Sequence, residues 1–175
     1  DGQGAIVDRP GALNLAIIGA GMFTVSPPGS DGTASDAKFY TRSGELTIDK
    51  NGYLKTGDGA FVLGTAPGSV VGSDSPRIAM QIPFSDDGSS LTGLEITAGG
   101  KISATYGSDI VDKGSLTIAT FANQGGLKNV GSSRFSETTY SGSPAFGVAG
   151  QTGYGTLQAG ALEGSNVDIT QEMTV

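Results

Sequence analysis

The chain has 175 residues, 30 of them glycine, with no cysteine, no histidine and a formal net charge of -7. That length suits one domain, or a main domain with a small appendage, and an acidic balance with no run of Lys or Arg argues against nucleic acid as a partner. Lack of cysteine rules out a disulfide framework and thiolate metal sites, and lack of histidine removes the commonest general base, the Ser-His triads and most zinc sites.

Apolar residues alternate between the glycines with no collagen-like period, so turn-rich β structure is expected rather than disorder. No apolar stretch approaches the ~18 residues of a membrane span, and no signal peptide is visible. The first residue is Asp1 rather than Met, so a further N-terminal piece is expected before it.

In chain order, Leu15–Ile18 and Met22–Val25 read as strands separated by a bulge at Gly19-Ala-Gly21. Residues 26–38 hold two prolines and read as a surface loop. Phe39–Thr41 and Glu45–Ile48 are short strands around a Ser-Gly turn. Asn51-Gly52 predicts a two-residue type I′ hairpin, which needs positive φ at both positions. Strands Tyr53–Lys55 and Ala60–Leu63 follow on either side of Asp58-Gly59.

Ile48-Asp-Lys-Asn-Gly-Tyr-Leu54 has an echo in Ile96-Thr-Ala-Gly-Gly-Lys-Ile102, the layout on which a tight hairpin converges. Residues 66–75 form a Gly/Ser/Pro linker, and residues 66–106 read as a small β excursion from a main domain made of 1–65 and 107–175. Ile78–Pro83 and Leu116–Phe121 are further strands, the second largely buried. Phe135–Tyr140 is a strand and residues 141–152 are mostly loop. Helical period begins only near Asn166: Ser165 is placed as a cap, with Asp168 in the first turn and Ile169 and Met173 on one face. So short a helix is marginal alone, so a partner outside this chain or a cut through the helix is expected.

Four motifs carry a resemblance. They are Leu15-Ala-Ile-Ile-Gly-Ala-Gly-Met-Phe23; Phe39-Tyr-Thr-Arg-Ser-Gly44 with Ile48-Asp-Lys-Asn-Gly-Tyr-Leu54; Leu116-Thr-Ile-Ala-Thr-Phe-Ala-Asn-Gln-Gly-Gly-Leu127; and Gly160-Ala-Leu-Glu-Gly-Ser-Asn-Val-Asp168. In this order they resemble the bacterial flagellar hook and rod proteins, over nearly the whole chain. The Leu13-Asn-Leu15 entry departs from the Pro-Leu-Asp-Leu-like one usual in that family. The motif positions singled out are Tyr40, Thr41, Arg42, Gly44, Asn51, Gly52, Phe121, Asn123, Leu162, Glu163, Ser165, Asn166, Val167 and Asp168. The resemblance makes Arg42 and Glu163 members of a conformation-fixing network; as plain exposed charges they would contribute ~0–1 kcal/mol each.

Other chemistry reads weakly. Asp86-Asp87 in Ser-Asp-Asp-Gly is the obvious carboxylate pair, but adjacent acids there suit a solvated turn better than a glycosidase pair. Asp49-Lys-Asn-Gly52 resembles the start of a calcium loop with its glycine two positions early. Gly19-Ala-Gly21 lacks the third glycine of a dinucleotide fingerprint, and no phosphate loop occurs. Nothing supports a cofactor or a metal.

The fold expected is all-β: an antiparallel, hairpin-rich main domain, barrel- or sandwich-like, with a helix start at the C-terminus. The resemblance implies a non-enzymatic structural subunit of the flagellar hook, the core of the protein without its terminal helices. It implies helical self-polymerisation into a flexible tube that passes motor torque to the filament. It also implies neighbouring axial proteins (rod and hook–filament junction), export through the flagellar secretion apparatus, and no membrane, nucleic-acid or small-molecule partner. A distal rod protein is the alternative within the family. Outside it stand a secreted β-sandwich binding module of lectin or adhesin type and, last, a carboxylate hydrolase.

Overall fold

The computed structural model describes residues 12–72 and 74–160. The strands in chain order are β1 (Ala12–Ile18), β2 (Phe23–Ser26), β3 (Phe39–Thr41), β4 (Glu45–Ile48), β5 (Leu54–Thr56), β6 (Phe61–Thr65), β7 (Ile78–Ala79) and β8 (Ser85–Asp86). They continue as β9 (Ser89–Ile96), β10 (Lys101–Tyr106), β11 (Asp109–Leu116), β12 (Ile118–Thr120), β13 (Lys128–Gly131), β14 (Arg134–Ser136), β15 (Ala145–Gly147) and β16 (Thr156–Ala159). Every ladder among them is antiparallel. The fold is therefore all-β, as expected.

Fourteen strands join one sheet whose main path runs β13-β14-β3-β2-β6-β11-β10-β9-β8, open at both ends rather than closed into a barrel. A branch through β16, β1, β4 and β5 returns to β6. The β12–β15 pair joins this body through reciprocal hydrogen bonds between Met22 and Ala119, at 2.9 and 3.0 Å.

β1 alternates as a half-buried strand should, with Leu13, Leu15 and Ile17 inward. β2 and β6, at the centre, are buried along their whole length. Fully burying a Leu, Ile, Val or Phe contributes ~1.5–3 kcal/mol, and Phe23, Val25, Leu46, Ile48, Leu54, Val62, Ile82, Ile102 and Ile118 all lie in the main core. A smaller cluster packs Met22, Tyr40 and Ala119 against Phe121, Leu127, Phe135 and Phe146. The buried Thr24, Thr65 and Thr117 hydroxyls find no partner.

Several turns and strands differ from the sequence reading. Only Gly52 of Asn51-Gly52 has positive φ, at 89°. Asp49 and Tyr53 face each other across a three-residue loop, with Gly52 N–H donating to Asp49 O at 2.8 Å and Asp49 N–H to Tyr53 O at 3.0 Å. This is a type I turn followed by a left-handed bulge glycine, and Asp49 holds it by accepting from the Asn51 and Tyr53 N–H groups at 2.9 Å each. Residues 97–101 repeat the geometry, with Gly100 as the bulge and Thr97 as the capping side chain. Two-residue turns with both φ positive lie instead at Asp87-Gly88, with φ of 51° and 83°, and at Ser132-Ser133, with φ of 55° and 60°.

The segment Ile78–Pro83 is a strand only at its start. Met80 and Ile82 then bond to β6 and to the Gly52 turn in alternation (Met80 N to Val62 O at 3.0 Å, Ile82 N to Gly52 O at 2.7 Å). Leu116–Phe121 breaks at Thr117 into the ends of β11 and β12, while Leu116–Ala119 are buried as expected. The strand expected over Phe135–Tyr140 stops at Ser136, because Thr138 and Ser141 side chains take up the next backbone N–H groups. The loop expected over 141–152 contains β15. The helix expected from about Asn166 lies outside the described residues.

Candidate functional site

Phe39-Tyr-Thr-Arg-Ser-Gly44 runs from β3 into the turn before β4, and each member is used internally. The Phe39 ring lies 5.8 Å from the Arg134 guanidinium. Tyr40, only 2% exposed, anchors the smaller core cluster. Burial, followed by the Glu137 carboxylate, pushes its hydroxyl up to about 12. Thr41 is buried, and its hydroxyl accepts the Ser43 N–H at 3.0 Å, which forms the turn.

Arg42 reaches across that turn. Its Nη1 donates to Gly19 O at 2.7 Å and Gly21 O at 2.8 Å, and its Nη2 donates to Ile17 O at 3.0 Å. Ala20 O, the remaining carbonyl of the corner, accepts from Gly155 N–H at 2.8 Å. One guanidinium thus satisfies the backbone where β1 turns into β2, which a point-charge ammonium could not match in geometry. The corner needs glycine: Gly21 has φ of 123°, and a Cβ there would lie 2.0 Å from Ile118 Cγ2.

Gly44 closes the motif by close approach. A Cβ on it would meet Leu15 O at 1.6 Å, where the Leu15 N–H donates to Gly44 O at 2.9 Å. Gly52 plays the same part against Ile82 and Pro83, and Asn51 O accepts from Gln81 Nε2 at 2.9 Å.

Downstream, Phe121 stands edge-on to Tyr40, with ring centroids 4.9 Å apart at 79°. Asn123 donates from Nδ2 to Tyr140 O at 3.1 Å and so ties the turn after β12 to the segment after β14. Tyr40, Thr41, Arg42, Gly44, Phe121 and Asn123 therefore gather around β1–β4 and the smaller cluster, while Asn51 and Gly52 sit at a separate hairpin. Leu162, Glu163, Ser165, Asn166, Val167 and Asp168 lie outside the described residues.

Two further carboxylates, Asp49 and Asp58, are held within the fold. Burial would raise Asp49, but hydrogen bonds from Lys55 and from the Tyr53 and Asn51 N–H groups hold it below the ordinary range. Lys55 Nζ lies 3.0 Å from it. Asp58 is likewise opposed by burial yet held low by the Thr56 hydroxyl and then by the Arg134 charge. Arg134 Nη2 pairs with it at 2.6 Å beside a cleft of about 270 Å³ whose lining includes Thr41, Ser43, Ser132 and Ser133. Asp86, at the end of β8, and Asp87, in the turn that follows, are both exposed. Among the described residues no three carboxylates converge as a metal site would require.

Arg134, Thr138, Tyr140 and Ser141 were not singled out from sequence. Arg134, Thr138 and Tyr140 also bond to Asp58, Gly126 and Asn123 in other segments, and the local trace is the dense Ser/Thr content of residues 132–143.

Comparison with known proteins places these motifs in a family. Residues 16–104 match the model described as flagellar hook protein FlgE/F/G D1 domain. The chain is 36% identical over 174 residues to the flagellar basal-body rod protein FlgG of Agrobacterium fabrum, covering 98% of this chain and 57% of that protein. It is 37% identical over 163 residues to FlgG of Bacillus subtilis, covering 93% of this chain and 54% of that protein. The flagellar hook protein FlgE of Treponema pallidum is 39% identical over 85 residues, 48% of this chain and 18% of that protein. The chain thus spans a little over half the length of the rod proteins it matches.

Proposed function

The chain belongs to the flagellar hook and rod protein family, and from that premise we propose that it is a structural subunit of the flagellar axis. It polymerises helically with copies of itself and joins neighbouring axial proteins on either side. The observation that carries this reading is the family match over residues 16–104, together with a motif whose polar and charged groups are consumed within the domain. A catalytic or ligand site would leave such groups converging on open space. The role is mechanical: heterologous contacts that do not close generate a tube, and contacts with close-lying arrangements let it bend while carrying torque. Delivery is by the flagellar export apparatus.

Two positions along the axis fit. A hook subunit follows from the hook-like motifs at Phe121-Ala-Asn123 and Ser165-Asn-Val-Asp168. A distal rod subunit is favoured by extent, since the rod proteins match 93–98% of the chain and the hook protein 48%. In either position residues 1–65 and 107–175 form the main domain and 66–106 its small β excursion.

Immunogold labelling of isolated hook–basal bodies, with antibody raised against this chain, tests the location. Label on the hook or on the rod below it is expected and separates the two positions. Intact structures that carry label on neither would overturn the axial reading.

A further inference from the structure

β1 and β16 carry the chain into and out of the sheet at one point. They run antiparallel, with Leu15 opposite Ala159 and Ile18 opposite Thr156, so the start of β1 lies beside the end of β16. The Gly160 N–H donates to Asn14 O at 2.7 Å and closes the ladder at that end. The preceding and following residues are thus joined to adjacent strand ends. Tension between them opens the ladder from one end, and its hydrogen bonds break one after another instead of together. Forced opening depends on the barrier met along the pulled direction, and a bond-by-bond barrier is low.

The two strands are not held equally. On its other edge β1 pairs with β4 through Ala12, Leu13 and Asn14, and the Leu15 N–H donates to Gly44 O at 2.9 Å. β16 pairs with β1 and with no second strand among the described residues. Leu157 anchors its middle, buried in the main core with its N–H turned away from β1 to Ala98 O at 3.0 Å, while Thr156, Gln158 and Ala159 are exposed. The far end of the ladder is much firmer. There the Gly155 N–H donates to Ala20 O at 2.8 Å, and the Arg42 guanidinium holds the Ile17, Gly19 and Gly21 carbonyls.

We propose that β16 is a force-releasable clasp. Tension between the flanking segments peels it from Gly160 back to Thr156, and release stops at the Arg42 corner with β1 still held by β4 and the rest of the sheet intact. Freeing residues 156–160 lengthens the link between the flanks by ~17 Å. The domain therefore yields a short, recoverable extension before its core is loaded. The inference goes beyond the axial-subunit reading and does not depend on it.

The test stretches single molecules of the full-length protein in optical tweezers, with DNA handles coupled to an azide-bearing residue introduced at two positions. Handles at Gly11 and Ala161 load the ladder from its open end. Handles at Ala20, which is exposed, and Ala161 pull each strand toward its own C-terminal end and load the same ladder in shear. The first rupture between 11 and 161 is expected at no more than about half the force needed between 20 and 161 at the same loading rate, and it should reclose when the force is lowered. Hydrogen exchange of the unaltered full-length protein gives a second readout, since an end that opens first loses protection first. The Gly160 amide should exchange fastest, Gln158 more slowly and Thr156 more slowly again, with Val62 of β6 at least tenfold slower than all three. An equal or greater rupture force between 11 and 161, or uniform protection from Thr156 to Gly160, would overturn the proposal and leave the axial reading untouched.

Discussion

The Tyr40 and Phe121 rings meet edge to face, 4.9 Å between centroids at 79°, and join β3 to the segment after β12. The contact welds the two motifs into the smaller cluster with Met22 and Ala119. Edge-to-face pairs contribute ~0.5–1.5 kcal/mol beyond the area they bury. A double-mutant cycle with Tyr40→Leu and Phe121→Leu, measured by urea unfolding, should return a coupling energy in that range. Additive effects would show that the two rings are merely neighbours.

Tyr40 also sets an alkaline limit. Its hydroxyl is raised from 10.0 to about 12 by burial and then by Glu137. A raised folded value means the neutral phenol stabilises the fold fully below pH ~10, and that contribution is lost as pH rises toward 12. Two units correspond to ~2–3 kcal/mol. The unfolding midpoint should therefore fall between pH 10 and 12, and Tyr40→Phe should lessen that fall. An equally steep decline in the variant would place the alkaline sensitivity elsewhere.

Arg42 makes a prediction about geometry rather than charge. Its guanidinium serves three carbonyls, of Ile17, Gly19 and Gly21. Hydrogen bonds from charged donors contribute ~1.5–3 kcal/mol when buried and less where solvent competes. Arg42→Met should cost ~1–3 kcal/mol in chemical unfolding, and Arg42→Lys should recover less than half of it, because an ammonium lacks the fork. Full rescue by lysine would mean that only the charge matters.

Glycine substitutions should separate two cases that look alike in the sequence. At Gly44 an added Cβ would meet Leu15 O at 1.6 Å, whereas at Gly57 it meets nothing within 4 Å. Gly57→Ala should be neutral or stabilising by ~0.4–1 kcal/mol through the unfolded chain. Gly44→Ala forces β1 and β4 apart and should cost over ~4 kcal/mol or abolish folding. Similar unfolding midpoints for the two variants would mean β1 and β4 are not packed as described.

Local pattern was enough to read β3 and β4, whose bounds coincide with the expected strands because two short apolar runs flank a Ser-Gly turn. It failed where partners are distant. Asp109–Leu116 is a strand with Asp, Lys, Gly and Ser in its sequence, supplied with pairing by β10 on one side and β6 on the other. Asn51-Gly52 suggested the wrong turn, because the Asp49 carboxylate favours a three-residue loop that no dipeptide rule includes. Arg42 was recognisable as a motif member, but its three carbonyl partners stand 21 to 25 residues away. Arg134 bonds to Asp58, 76 positions away, a separation that no local pattern reveals.

A subunit of the flagellar axis must build an open helical assembly. Electron microscopy of the full-length protein at high salt and high concentration tests it most directly. Tubes are predicted, curved for a hook position and straight for a rod position. A folded protein that stays monomeric, or that closes into discrete rings, is not an axial subunit.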